Sequence, residues 1–376
     1  MKIGILTHFC DSINYGGVLQ AYALCKYLND RDGYSAEQIL YKHGSISIGN
    51  SKMTCKEFFK KLKSRLVKEL YRQKNENIRK RMEDSFKAFR ESVPHTRQVY
   101  TADTVREISD DYDVLIVGSD QVWNPIWYDP AYMLCFAGEH TRKISYAASI
   151  GIHVLDDAQK KLFRLSIRDF DGISVRERAA AELLSPLIGK EVQVCVDPSL
   201  LLTADEWNSI AAERKIQGKY IFLYFLGDDR KSRKEAEHFA EKKGMKLIMI
   251  PDLMGKYRKI DREINAEYIM NATPWDFISL IKHAEYVFTD SFHACVFSLL
   301  YQKDFFAFPR SGKIKMESRI QNLTELFECP ERFCINRNGM TEYLLSLNSI
   351  DYGREQKQFL EAKQVSMDYL NKVLDR

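Results

Sequence analysis

The chain has 376 residues, more than one hydrophobic core usually supports, since cores stop growing near ~250–300 residues. Its 56 Lys and Arg against 52 Asp and Glu leave a formal net charge of +4, which excludes a nucleic-acid binder by overall charge and makes any basic function local. The eight cysteines stand singly, with no Cys-x-x-Cys pair and no Cys/His cluster at metal-ligand spacing, so the sequence predicts a reducing cytoplasm and no metal site.

The opening residues turn polar too quickly for a signal peptide, and no apolar run approaches the ~20 residues needed to span a bilayer. A soluble, cytoplasmic protein is the expectation, with peripheral contact at the inner membrane face left open.

Residues 2–7 read as a buried parallel strand, followed by a polar loop over 8–17 and a helix over 18–29. Strand, glycine-containing loop and helix open a Rossmann-like βα unit. Asn14-Tyr15-Gly16-Gly17 is not the Gly-x-Gly-x-x-Gly fingerprint, and its spacing alone describes a tight turn before a helix. His8, a lone histidine after the strand, reads as structural and stays outside the catalytic set.

A second strand falls at 38–41. The stretch 52–97 then holds 15 Lys/Arg against 6 Asp/Glu, with apolar residues mostly four apart, which predicts two amphipathic helices with a basic outer face. Such a face is ordinarily solvated; its sharper use is to lean on anionic headgroups or a lipid-linked, phosphate-bearing substrate.

Residues 113–117 form an apolar strand ending in Gly118-Ser119-Asp120-Gln121-Val122-Trp123-Asn124-Pro125. Polar side chains beside an indole suit a sugar, whose C–H faces stack on rings while its hydroxyls need partners, so Gln121, Trp123 and Asn124 are candidate contacts, with a core role for Trp123 an equal alternative. Further strands are predicted at 145–150, at 172–175 before Arg176-Glu177-Arg178, and at 192–196 before Asp197-Pro198-Ser199. Charged residues thus recur at strand C-termini, where α/β sheets bind ligands.

The pattern resets over 202–218, then gives a strand at 219–226, a helix at 231–244, a strand at 246–250 and a helix at 274–283. The strand 286–289 turns at Asp290-Ser291 directly into a helix, with Ser291 as N-cap and His293 in the first turn. A strand end meeting a helix N-terminus favours anions and directs attention to a phosphate-bearing substrate. A strand at 304–308 is followed by Lys313, Lys315 and Arg319, a basic segment read either as a solvated loop or as a closure over phosphate. The predicted organisation is α/β with two Rossmann-like domains, 1–205 and 206–345. A last helix within 346–376 packs back on the first domain.

Taken together, Asn14-Tyr15-Gly16-Gly17-Val18-Leu19-Gln20, Gly118-Ser119-Asp120-Gln121-Val122-Trp123-Asn124, Ser174-Val175-Arg176-Glu177, Val196-Asp197-Pro198 and Thr289-Asp290-Ser291-Phe292-His293 resemble the polysaccharide pyruvyl transferase family. The order and spacing match over roughly residues 1–326. The resemblance implies a glycosyltransferase-B-like pair of domains facing a cleft, with 1–205 on the acceptor side and 206–345 on the donor side. It also implies transfer of the enolpyruvyl group of phosphoenolpyruvate to a sugar as a ketal, with release of phosphate and no cofactor beyond the donor. The acceptor would be a surface polysaccharide or its lipid-linked precursor. In the family an arginine and a histidine on the two sides of the cleft hold the donor, and the matching positions are Arg176 and His293. Ser291, Lys313, Lys315 and Arg319 join them as donor contacts, and Asn14, Tyr15, Gly16 and Gly17 as further substrate contacts. His293 is the candidate general acid. Asp120 is the candidate to orient or deprotonate the hydroxyl, ahead of Asp290, which is read as securing the turn. Two other classes compete: a nucleotide-sugar glycosyltransferase on the same architecture, and a glycan-binding scaffold without catalysis.

Overall fold

Short apolar strands alternate with amphipathic helices, and they sort into two parallel sheets. The computed structural model describes residues 1–44, 76–152, 154–251, 259–310, 317–335, 339–353 and 356–375. In the first sheet β1 (Lys2–Leu6), β2 (Ser35–Gln38), β3 (Val114–Val117) and β4 (Arg142–Ser145) lie in the order β2-β1-β3-β4. The pair β5 (Ser174–Val175) and β6 (Gln193–Val194) extends it, because the Ser145 amide donates to the Gly172 carbonyl at 3.0 Å and the Arg176 amide to Ala148 at 3.2 Å. The second sheet holds β7 (Tyr220–Tyr224), β8 (Lys246–Met249), β9 (Glu267–Tyr268), β10 (Tyr286–Thr289) and β11 (Asp304–Ala307), in the order β11-β10-β7-β8-β9. Val-Leu-Ile-Val in β3 and Tyr-Ile-Phe-Leu-Tyr in β7 are buried throughout, as strands covered by helices on both faces must be. Because every ladder is parallel, the C-terminal ends within each sheet share one edge, and the polar loops gather there.

The strand expected at 145–150 ends at Ser145, because Ala147 takes a left-handed conformation with φ 50°. The chain beyond it instead braces the loop after β3. The Ser149 amide donates to the Asp120 carbonyl at 2.9 Å, and the Trp123 amide to Ser149 at 3.2 Å.

The two halves share one apolar core. Tyr15, at the start of the helix Tyr15–Asn29, stacks on Phe277 of the helix Pro274–Lys282 with ring centres 4.8 Å apart, and its hydroxyl donates to the Ala272 carbonyl at 2.7 Å. The helix Glu76–Glu91 braces this junction with Phe86 against Tyr15 and Phe89 against Trp275. Its outer face mixes signs in i,i+4 pairs, Arg79 with Glu83 and Lys87 with Glu91. Of the 15 basic residues in 52–97, nine fall in 52–75, outside the described residues.

The last helix, Lys357–Leu374, spans both halves. Phe359 stacks on Phe327 at 4.3 Å, whereas Ser366 accepts the Val196 amide at 2.9 Å and Tyr369 donates to the Ser145 carbonyl at 2.9 Å. Among the described residues no helix is long and apolar enough to cross a membrane.

Candidate active site

Four strand ends converge on one buried carboxylate, Asp197. It follows β6, and its Oδ1 accepts the Ser199 amide at 3.0 Å, which starts the turn Pro198–Leu200. Oδ2 accepts from Arg176 Nη1 at 2.9 Å and from the Ser119 hydroxyl at 3.0 Å, so the ends of β5 and β3 are tied to it. From the second sheet, His293 Nε2 stands 3.5 Å from the same oxygen. Burial alone would raise the Asp197 pKa, but His293, Arg176 and the Ser199 amide outweigh it and hold the carboxyl far below the usual carboxylate range.

Arg176 is buried, with its guanidinium 4.4 Å over the Phe292 ring and Nε 3.4 Å from Glu177 Oε1. Burial disfavours its charge, yet Glu177, Asp197 and Asp120 together raise its pKa above the ordinary arginine value. Among the described residues its second amino group, Nη2, is buried without a hydrogen-bond partner, as is His293 Nε2. Buried donors are rarely left unmet in a finished core, so two such atoms around one carboxylate describe a site shaped for a ligand.

His293 reaches this cluster because residue 16 is glycine. An added β-carbon at Gly16 would lie 2.0 Å from His293 Nδ1 and 2.3 Å from Cγ. The helix Phe292–Leu300 therefore presents its first-turn imidazole directly to the backbone of the facing half, with Ser291 as its N-cap.

Asp120 follows Ser119 in a left-handed conformation, φ 75°, which is rare for a non-glycine residue and costs roughly 1–3 kcal/mol. Its Oδ1 accepts the Gln121 amide at 2.9 Å. Burial opposes its ionisation, but His8, Arg176, His293 and Arg319 lower its pKa, so it is a carboxylate at neutral pH. Arg319, on the helix Glu317–Leu326, is pushed down to about 10 by burial and by the charge of Arg176. A cavity of about 450 Å³ opens beside these groups, within the ~300–1,000 Å³ usual for small-molecule sites. Arg176, Glu177, Asp197 and Arg319 are among its polar lining and Phe292, Leu323 and Ala362 among its apolar lining, whereas His293 and Asp120 stand behind that wall rather than in it.

The structure brings Arg176, His293, Asp120 and Arg319 together and gives several other candidates different tasks. Tyr15 is an interdomain packing residue rather than a substrate contact, since its ring and hydroxyl are both committed to the second half. Trp123 is 1% exposed, lies edge-on to Phe163 and Phe170, and donates its indole N–H to the Tyr132 carbonyl at 2.9 Å; it is core, not a sugar platform. Asn124 is buried and caps the turn Pro125–Trp127, donating to Gln121 Oε1 at 2.9 Å. Asn14 caps the helix Tyr15–Asn29 through the Gly17 amide at 3.3 Å, and the Ser291 hydroxyl accepts the Ala294 amide at 3.5 Å. Asp290 takes the Leu226 and Gly227 amides at 2.7 and 2.6 Å and so locks the β10 turn to the end of β7. Lys313 and Lys315 lie outside the described residues.

Sequence reasoning left out Asp197, His8 and Glu177. Asp197 carried a signal in the Asp-Pro-Ser that ends its strand; His8 carried none beyond its position.

A family model described as polysaccharide pyruvyl transferase matches residues 14–312. A search of the curated proteins gave no match. Among solved structures, the UDP-GlcNAc 2-epimerase of Methanocaldococcus jannaschii is similar with TM-score 0.55 and 11% identity, over 98% of this chain and 100% of that one. The UDP-GlcNAc 2-epimerase of Neisseria meningitidis bound to UDP-GlcNAc matches with TM-score 0.52 and 11% identity, over 99% and 100%. A glycosyltransferase of Rickettsia africae matches with TM-score 0.51 and 13% identity, over 100% and 96%. At such identity the likeness is one of fold, and the fold is of the glycosyltransferase-B type.

Proposed function

The chain belongs to the polysaccharide pyruvyl transferase family, a family of polysaccharide-modifying transferases, and from that premise we propose that it moves the enolpyruvyl group of phosphoenolpyruvate onto a sugar as a ketal. The observation that carries the reading is the meeting of Arg176 and His293, from opposite halves, over the single carboxylate of Asp197.

Phosphoenolpyruvate brings a phosphate and a carboxylate. Arg176 offers its unmet Nη2 to one of them as a planar donor, and Arg319, crowded by the charge of Arg176, gains from an anion placed between the two. The N-terminus of the helix Phe292–Leu300 adds partial positive charge at the same spot. His293 delivers a proton to the methylene carbon, which becomes the methyl group, and positive charge develops on the neighbouring carbon. Asp197, already ionised, stabilises the protonated imidazole before the transfer. One sugar hydroxyl attacks that carbon, phosphate departs with the C–O electron pair, and a second hydroxyl closes the ketal. Asp120, a carboxylate held between cations at the end of β3, orients the attacking hydroxyl from the first half. The acceptor we assign is a surface polysaccharide or its lipid-linked precursor, met by a cytoplasmic enzyme.

Melting temperature with phosphoenolpyruvate, pyruvate, phosphate and uridine diphosphate tests the donor, because a ligand of the native state stabilises by mass action. A rise specific to phosphoenolpyruvate that Arg176→Ala abolishes is the expected result. A rise with uridine diphosphate alone would replace this reading with a nucleotide-sugar glycosyltransferase.

A further inference from the structure

The reaction above needs a base for the hydroxyl, and Asp120 is poorly suited to the task. Four cationic or ionisable neighbours hold it ionised, and a carboxylate so stabilised has little appetite for a proton. The structure supplies a better group next to it.

The ends of β1 and β3 are neighbours in the sheet, with Leu6 opposite Val117. Beyond the ladder they are clamped: the Thr7 hydroxyl donates to the Ser119 carbonyl at 2.7 Å, and Gln20 Nε2 donates to Thr7 Oγ1 at 3.1 Å. The next residue on each strand is therefore fixed beside the other, and these residues are His8 and Asp120. Each is the strongest charged influence on the other. The His8 ring packs on Tyr132 with centroids 4.9 Å apart and planes at 56°, and the backbone of Tyr132 is anchored by the Trp123 indole. Among the described residues the His8 side chain makes no hydrogen bond, and it is only partly buried, so its nitrogens remain available to a substrate.

The groups that face His8 come from three directions. Asp120 stands on the loop after β3, His43 on the segment after β2, and Asp129 and Tyr132 on the turn that follows Trp127. Asp129 is already engaged, by the Tyr41 hydroxyl at 2.8 Å and by His43 Nδ1 at 2.6 Å. Burial, aided by His43, keeps His8 neutral to lower pH than an ordinary histidine, while Asp120 stands ready to stabilise the charged form.

We propose that His8 is the base that accepts the proton of the attacking sugar hydroxyl, and that Asp120 holds the imidazolium so formed. The inference rests on the pyruvyl-transfer reading and completes it, placing the acid, His293, on the second half and the base on the first. An oxygen lone pair forms the C–O bond to the cationic carbon. The O–H bond breaks with its electrons left on oxygen, and the proton passes to the imidazole, which later returns it to solvent.

The test uses the full chain and follows phosphate release from phosphoenolpyruvate with methyl pyranosides as acceptors, water serving where none reacts. His8→Gln is expected to lower kcat by roughly 100-fold or more and to remove the acidic limb of the pH profile, with the phosphoenolpyruvate melting shift retained. In Asp120→Asn, which keeps His8, that limb is expected to move to lower pH, because Asp120 raises the His8 pKa. A His8→Gln enzyme with wild-type kcat and limb, or a limb unmoved in Asp120→Asn, would overturn the assignment of His8. A wild-type protein with neither a phosphoenolpyruvate shift nor phosphate release would instead overturn the pyruvyl-transfer reading, and the base with it.

Discussion

The imidazole of His293 is seated on the backbone of Gly16, so close that a β-carbon there would stand 2.0 Å from Nδ1. A glycine of the first half thus sets the position of the imidazole that the second half carries, the proton donor of the proposed reaction. Gly16→Ala should displace the ring and lower kcat by about 100-fold, since misplacement of about 1 Å carries that cost. The melting temperature should fall modestly, because forcing a buried ring aside costs about 1–3 kcal/mol and the better helix propensity of alanine offsets only up to ~1 kcal/mol of it. Wild-type rates in Gly16→Ala would refute the arrangement.

Asp197→Asn removes the charge shared by Arg176 and His293. Breaking a buried ion pair from one side costs about 3–5 kcal/mol, readable as a drop in the urea midpoint at pH 7. The Asp197 pKa is depressed in the folded protein, so its stabilisation is complete above the unfolded value of ~3.9 and is lost as pH falls towards the folded one. The gap in stability between wild type and Asp197→Asn should therefore stay constant above about pH 5 and narrow progressively as pH falls below about 4. A gap that widens in acid would contradict the coupling.

Arg176 both stacks on Phe292 and bonds to Asp197, which a planar guanidinium does at once and an ammonium does not. Arg176→Lys keeps the charge but should lose most of the phosphoenolpyruvate melting shift and at least about tenfold in kcat/KM. A full shift in the lysine enzyme would mean that charge alone suffices.

Trp123→Phe deletes the indole N–H that meets the Tyr132 carbonyl and leaves that carbonyl unsatisfied in the core. A loss of about 1–3 kcal/mol is expected by chemical denaturation, with the acceptor KM of the folded enzyme unchanged. Raised KM at full stability would restore Trp123 as a sugar contact.

Much of the framework could be read from the chain because parallel strands buried on both faces are short apolar runs, as in β3, β7 and β10. Arg176, Asp120 and His293 stood out because each follows such a run. The contact of Gly16 with His293 joins residues 277 positions apart, and nothing local records it. The sequence leaves Trp123 open between core and sugar contact, and what decides it is the distant partners Phe163 and Phe170, which its polar neighbours do not record. The end of β4 was placed too late because apolar alternation continues to Ile150, whereas the left-handed turn at Ala147 depends on the backbone partners of its neighbours.

The helix Lys357–Leu374 is sewn to the first sheet through Ser366 and Tyr369 and, near its start, to Phe327 of the second half. The polypeptide consequently passes between the halves twice, and cutting it after the first passage does not yield a complete first half. Such a fragment leaves the Val196 amide and the Ser145 carbonyl without the partners that the tail supplies. Opening of the cleft is likewise restrained at two places rather than one, which favours a narrow swing about the line joining them over free separation.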